Sequence, residues 1–217
     1  MNKQISIIEA IDKIKDGDVV MIGGFLGVGT PERLIDALVA KGTKNLTLIC
    51  NDSGFVDKGV GKLVVSKQFS KIIASHVGTN KETGRQMMEG ETEVVLVPQG
   101  TLVEQIRCAG YGLGGFLTAT GLGTKVEEGK QKVVVGGKEF LLEEPLHANV
   151  ALIFANTADK YGNLNYHGST RNFNPIMAAA ADITIVEALK IVDVLDPDTV
   201  HCPGVFVNYI VEGTNHG

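Results

Sequence analysis

Apolar residues at Ile7, Ile8, Ile11 and Ile14 recur at helical spacing and stop at the turn Lys15-Asp16-Gly17-Asp18, so a helix is expected between Ile5 and Ile14. The period then changes. Val19-Val20-Met21-Ile22 is a continuous apolar run, as in a short strand buried on both faces. Gly23-Gly24 ends it and a helix follows, with Thr30 as N-cap, Pro31 at the first helical position, Glu32 at the positive end and Gly42 as terminator. Leu34, Ile35, Leu38 and Val39 form its apolar face. Leu46 to Cys50 and Lys71 to Ser75 read as further strands; the first exits through Asn51-Asp52-Ser53-Gly54, the second through a glycine and threonine loop from His76 to Gly84. Val94 to Val97 is another, stopped by Pro98, and Thr101-Leu102-Val103-Glu104 fits a capping box that opens a helix reaching Cys108 or Ala109. Val133-Val134-Val135 and Phe140-Leu141-Leu142 flank Gly136-Gly137 as a hairpin. Ala151 to Ala155 and Ile183 to Val186 are strands on either side of an alanine-rich helix from Asn174-Pro175 to Ala181, and Val205 to Val211 is the last strand, with a frayed tail beyond it. The alternation predicts one α/β domain over residues 1–217: an open, mainly parallel sheet with helices on both faces and a small added hairpin.

Composition narrows the partners. With 44% hydrophobic and 21% charged residues among 217, the chain is too apolar and too lightly charged to remain disordered. A net charge of -5 without a run of lysines or arginines leaves no electrostatic footprint for nucleic acid or acidic lipid. The first residues turn acidic too early for a secretory signal, and no stretch approaches the ~20 apolar residues that cross a bilayer. Cys50, Cys108 and Cys202, widely spaced and odd in number, read as buried thiols of a cytoplasmic protein. The five histidines contain no close-spaced pair, so no metal site is expected. Glycine is over-represented, at 27 residues, which implies close approach of backbone to backbone or to a ligand.

Three segments are candidates for chemistry. Ligands of open parallel sheets sit beyond the carboxyl ends of the strands, which is where Gly23-Gly24-Phe25-Leu26-Gly27-Val28-Gly29 falls. This loop is neither GxGxxG with a distal acid nor a P-loop; backbone N–H groups aimed at an oxyanion and a plain tight turn both fit it. Gln99 follows a strand and precedes a helix, a place for an amide that holds a carboxylate or thioester oxygen. Glu104 suits the reciprocal cap better than catalysis, and Arg107 fits an anion clamp or a solvated helix face equally. The third segment, Ala109 to Gly123, carries six glycines among apolar residues and is expected to order against a partner or a substrate tail. Asn51-Asp52 and Thr79-Asn80 stand at strand ends, as turn residues or ligand contacts.

The run from Asp16 to Pro31 resembles the signature of the A, or α, subunit of family I CoA-transferases. The likeness continues through Leu48–Asp52, His76–Asn80, Pro98–Arg107, Gly112–Gly123 and Arg171–Pro175. It implies an enzyme that moves CoA between a short-chain acyl-CoA and a free carboxylate such as acetate, butyrate or acetoacetate. The implied chemistry is ping-pong, through an acyl anhydride and a glutamyl-CoA thioester. In two-chain members the nucleophilic glutamate lies in a Ser-Glu-Asn-Gly segment of the β, or B, subunit. That segment is absent here, so Glu104, Glu143 and Glu144 are not expected to be nucleophiles. By the same likeness Gly23, Gly24 and Phe25 form the oxyanion loop, Asn51 and Gln99 lie near the acyl carboxylate, and Gly114 and Gly115 border the pocket. An α2β2 assembly is implied, with coenzyme A thioester as substrate, no permanently bound cofactor, and CoA phosphates held mostly by the partner. The rival readings are a stand-alone sugar-phosphate isomerase-like enzyme, a non-catalytic scaffolding subunit and, more remotely, a nicotinamide-dependent oxidoreductase.

Overall fold

The short apolar runs line up as parallel strands in the computed structural model, which describes residues 3–213. Strands β1 (Val19–Ile22), β2 (Leu46–Asp52), β3 (Phe69–His76), β4 (Glu93–Leu96), β8 (Ala148–Asp159), β10 (Ala181–Val192) and β11 (Tyr209–Glu212) form one sheet in the order β11-β10-β8-β1-β2-β3-β4. Every neighbouring pair on that path is parallel; only the two-residue β9 (Leu164–Asn165) runs antiparallel, along the end of β8. A second, antiparallel sheet holds β5 (Phe116–Thr118), β6 (Lys132–Val135) and β7 (Lys138–Glu143) in the order β5-β7-β6. The expected Gly136-Gly137 hairpin is its β6–β7 pair, both glycines having positive φ.

Alternation along each strand divides the core between the two faces of the main sheet. Val20, Ile22, Leu48, Cys50, Ile72, Val150 and Leu152 pack with buried residues of α1 (Ile7–Ile11), α2 (Glu32–Lys41) and α3 (Val60–Val65). Met21, Ile49, Ala151, Ile153 and Val186 face the other way, toward α5 (Gln99–Gly110) and α6 (Asn174–Ala179). The chain leaves β1 toward β2, β3 and β4, and later returns on the far side of β1 through β8, β10 and β11. The strand order therefore reverses beside β1, and the crevice of an open α/β sheet opens at such a reversal.

Several local expectations are corrected. Thr30 is not the cap of α2: Pro31 holds that position without a side-chain bond, and the buried carboxylate of Glu187 on β10 accepts the Leu34 N–H at 3.1 Å. The cap comes from across the fold, beyond the reach of local sequence patterns. The capping box at Thr101 is likewise absent, because α5 already begins at Gln99 behind Pro98 and Glu104 turns to Arg107 at 2.8 Å. Residues after His76 are not an extended loop; α4 (Lys81–Met88) starts there, capped by Asn80 Oδ1, which accepts from Glu82 N at 3.1 Å. Helix α1 is shorter than its apolar pattern, starting at a Ser6–Glu9 capping box and ending at Ile11. The last strand shrinks to Tyr209–Glu212, preceded by a 3-10 turn at Gly204–Phe206; the frayed tail lies mostly outside the described residues. In the glycine-rich segment 109–123 the start completes α5 and Phe116–Thr118 pairs with β7, while Tyr111, Leu113 and Leu117 remain exposed.

Candidate active site

The loop after β1 is a miniature hairpin. Phe25 N–H donates to Val28 O at 3.0 Å and Val28 N–H to Phe25 O at 2.9 Å. Between them Leu26 and Gly27 both take positive φ, 47° and 84°, as a tight two-residue turn requires. Gly23 N–H continues the sheet ladder to Leu152 O at 3.0 Å. Within the loop Gly23-Gly24-Phe25, the N–H groups of Gly23 and Phe25 are therefore occupied. The N–H of Gly24 has no partner among the described residues, and neither has that of Gly27.

The loop is held from behind by two asparagines. Asn174, buried at the start of α6, accepts the Phe154 N–H at 2.9 Å and donates to Gly29 O at 3.0 Å and Thr170 O at 2.8 Å; Asn172 donates to Val28 O at 3.0 Å. A Cβ on Gly23 would lie 1.9 Å from Asn174 Oδ1, so this glycine is fixed by close packing. A Cβ on Gly24, where φ is 125°, would lie 2.2 Å from Thr30 Oγ1.

The loop after β2 repeats this construction. Gly24-Phe25-Leu26-Gly27-Val28-Gly29 and Gly54-Phe55-Val56-Asp57-Lys58-Gly59 share a Gly-Phe-x-x-x-Gly spacing, and Phe55 bridges Lys58 as Phe25 bridges Val28. The second copy is visible in the sequence by that shared spacing. Between the loops lies a narrow cleft lined by Ile22, Gly23, Gly24, Gly27, Thr30, Asp52, Gly54, Gly59 and Val60. It has room for about one water molecule. Phe25 and Phe55, each following a glycine that lines it, are 41% and 38% exposed.

Asn51 and Gln99, far apart in sequence, meet beside this cleft. Gln99 Nε2 donates to Asn51 Oδ1 at 2.7 Å, and Asn51 Nδ2 donates to Asp52 Oδ2 at 2.7 Å. Asp52 also accepts the N–H groups of Leu26 at 3.0 Å and Gly54 at 2.9 Å. Gly114 and Gly115 are placed elsewhere. They follow the C-terminus of α5, and its 12 residues carry them ~18 Å from Gln99; Gly115 packs against the Glu143 carbonyl and neither glycine lines the cleft.

No glutamate lines the cleft. Glu104 pairs with Arg107 at 2.8 Å on the surface of α5. Glu143, 2% exposed, is held by Lys130 at 2.6 Å and Gln105 at 3.0 Å. Burial raises the Cys50 thiol well above its ordinary pKa, with the Asp52 charge adding to it, and pushes Cys202 up to about 12; both are protonated at neutral pH. Among the described residues no three His, Cys, Asp or Glu side chains gather as a metal site, and no helix is long and apolar enough to cross a membrane.

The sheet thus reverses direction beside a glycine hairpin, with amides clustered beyond the ends of β2 and β4. The coenzyme A transferase family pattern matches residues 4–213, and the chain belongs to that family. Among its relatives is the acetate CoA-transferase subunit alpha of Escherichia coli K12, 54% identical over 211 residues covering 96% of each chain. The alpha subunit of the acetoacetyl-CoA:acetate/butyrate CoA transferase of Clostridium acetobutylicum is 51% identical over 215 residues, 98% of this chain and 99% of that one. The fold also matches an acyl-CoA transferase from E. coli O157:H7 in a thioester complex with CoA, at TM-score 0.85 and 22% identity. It covers 97% of this chain but spans only 47% of that longer one. Glutaconate CoA-transferase from Acidaminococcus fermentans matches at TM-score 0.85 and 17% identity, over 98% of this chain and 76% of its own. The resemblance to A subunits of family I CoA-transferases holds along the chain, and the isomerase and nicotinamide readings lose their footing.

Proposed function

We propose that this chain supplies the backbone donors and one polar wall of a short-chain acyl-CoA:carboxylate CoA-transferase site, and that a beta subunit supplies the nucleophilic glutamate. The observation that carries this reading is the make-up of the cleft. It holds N–H groups without partners at Gly24 and Gly27, whereas its one carboxylate, Asp52, is already occupied by three N–H donors. Such a site stabilises developing negative charge and has nothing of its own to attack with. Its size agrees: a cleft that admits about one water cannot enclose an acyl group, so the remaining walls belong to a second chain.

In the reaction the partner's carboxylate attacks the acyl-CoA carbonyl, the C–S bond breaks, and an acyl-glutamyl anhydride and CoA thiolate result. The thiolate then attacks the glutamyl carbonyl, releasing the first carboxylate and leaving a glutamyl-CoA thioester, which the acceptor carboxylate resolves by the reverse steps. Each attack places charge on a carbonyl oxygen. Gly24 N–H is the donor this chain brings to that oxygen, and Gln99 uses its spare N–H on the carboxylate that enters or leaves. Phe25 and Phe55 cover the acyl chain. Acetate, butyrate and acetoacetate are the proposed acids, in keeping with the names of the E. coli and Clostridium relatives. The assembly is α2β2, and three buried free cysteines suit a reducing cytoplasm.

A transfer assay tests the reading. Acetyl-, butyryl- and acetoacetyl-CoA are offered with acetate or butyrate to this chain alone, to the beta chain alone and to the mixture. Activity confined to the mixture is expected; transfer by this chain alone would defeat the division of labour, and an inactive mixture would defeat the reading altogether.

A further inference from the structure

Asp52 stands where the two glycine loops meet. Its carboxylate is 6% exposed and its three partners belong to three parts of the site: Leu26 N–H in the first loop, Gly54 N–H in the second, and the side-chain amide of Asn51. All three are donors, so the group serves purely as an acceptor. That has a consequence for Asn51. An asparagine amide presents N–H groups at one end and an oxygen at the other, and its orientation follows from its neighbours. With Asp52 taking Nδ2, Asn51 must turn Oδ1 the opposite way, where it receives Gln99 Nε2 at 2.7 Å. The Ser75 hydroxyl, 3.1 Å from the same oxygen, donates to the Asn51 backbone carbonyl at 2.7 Å and braces the residue.

The order passes outward from a buried charge to an exposed amide. Asn51 is 2% exposed, whereas Gln99 sits at the surface of the site, at the first position of α5. With one N–H committed to Asn51, Gln99 is left with a single N–H and with Oε1, neither of which has a partner among the described residues. Were Asn51 to flip, Gln99 would have to turn its oxygen inward and would present two N–H groups in place of one donor and one acceptor.

We infer that Asp52 is a positioning residue of the transfer reaction, which, through Asn51, sets the face that the Gln99 amide offers to the substrate. Asp52 touches no reacting atom in this scheme. The inference rests on the reading of Gln99 as a pocket residue, and the test separates the two.

The test is a double-mutant cycle in the assembled enzyme, read by acyl-CoA:acetate transfer. Asp52→Asn keeps the shape of the side chain but puts an NH2 group among donors. It is expected to lower kcat about 10- to 100-fold, the scale of a misplaced site group, with KM for acyl-CoA changed less than about twofold. In a Gln99→Ala background the same substitution should cost less than about threefold, because the residue through which it acts is gone. Asn51→Ala, which leaves the Asp52 bonds to both loops in place, breaks the relay without loosening the hairpins. It should reproduce the loss and be equally non-additive with Gln99→Ala, which keeps the test open if Asp52→Asn fails to assemble. Full, additive penalties in both backgrounds would overturn the inference while leaving the functional reading standing. An assembled wild type that transfers no CoA, or a Gln99→Ala enzyme with full activity, would overturn the underlying reading and the inference with it.

Discussion

Replacing Gly23 with alanine isolates the packing that holds the glycine hairpin. Gly23 does not have a positive φ, so the added methyl brings no backbone strain of that kind. It brings a collision: the new Cβ would stand 1.9 Å from Asn174 Oδ1 and 2.8 Å from its Cγ. Asn174 is fully buried and cannot swing aside without abandoning Phe154 N–H, Gly29 O and Thr170 O. A buried polar group left without a partner costs about 1–3 kcal/mol, and at least the Phe154 N–H would be stranded. Adding the loss of one or both carbonyl bonds, at about 0.5–1.5 kcal/mol each, gives a destabilisation of about 1.5–6 kcal/mol. For a chain of this size each kcal/mol shifts the melting temperature by about 2–4 °C, so Gly23→Ala should melt ~3–24 °C below the wild type. The comparison is made in the assembled enzyme at fixed concentration, since partner binding itself raises the melting temperature. Asn174→Ala is costly alone, but it removes the obstacle. Gly23→Ala added to it should cost less than about 1 kcal/mol more, a coupling well outside additivity. A Gly23→Ala enzyme that melts within 2 °C of the wild type, or equal penalties in both backgrounds, would refute the reasoning.

Further outcomes follow from the same geometry. Gly24→Ala should reduce transfer for two separable reasons, the φ of 125° and the 2.2 Å approach to Thr30 Oγ1; Thr30→Ala relieves only the second, so rescue of the melting temperature should be partial. Hydrogen bonds from Arg85 hold the Glu82 and Glu91 carboxyls at about 2, below the ordinary 4.5. Their stabilisation is complete above about pH 4.5 and is lost as pH falls toward 2. Acid titration of the melting temperature should therefore be shallower in Arg85→Met over that window, and the difference should shrink in salt because the cluster is exposed. Iodoacetamide at pH 8 should label none of Cys50, Cys108 and Cys202 in the folded enzyme and all three in urea, since each is buried; rapid labelling of any of them under native conditions would contradict the packing.

The parallel sheet was legible because its strands are continuous apolar runs separated by turn residues, a pattern that survives without tertiary context. Helices were harder. Val60–Val65 follows a glycine with no side-chain cap, and Lys81–Met88 is polar enough to pass for loop, although Asn80 marked its start. The cap of α2 was illegible in principle, since Glu187 lies 153 residues from Leu34. In the site, sequence position placed Gly24, Asn51 and Gln99 at the carboxyl ends of strands, and they meet around one cleft. Which N–H groups remain free was beyond sequence reading, because the answer depends on the Phe25–Val28 hairpin and on Leu152 across the sheet. Gly114 and Gly115 stand apart from this cleft, because the 12 residues of α5 separate them from Gln99, a separation set by helix length and not by the glycine-rich composition of the segment.

The claim that this chain holds the donors and lacks the nucleophile is tested most directly by locating the covalent intermediate. The assembled enzyme is incubated with acetoacetyl-CoA, quenched, digested and mapped by mass spectrometry for a glutamyl-CoA thioester. The account predicts the adduct on a glutamate of the beta chain and none on this chain; an adduct on Glu104, Glu143 or Glu144 here would contradict it.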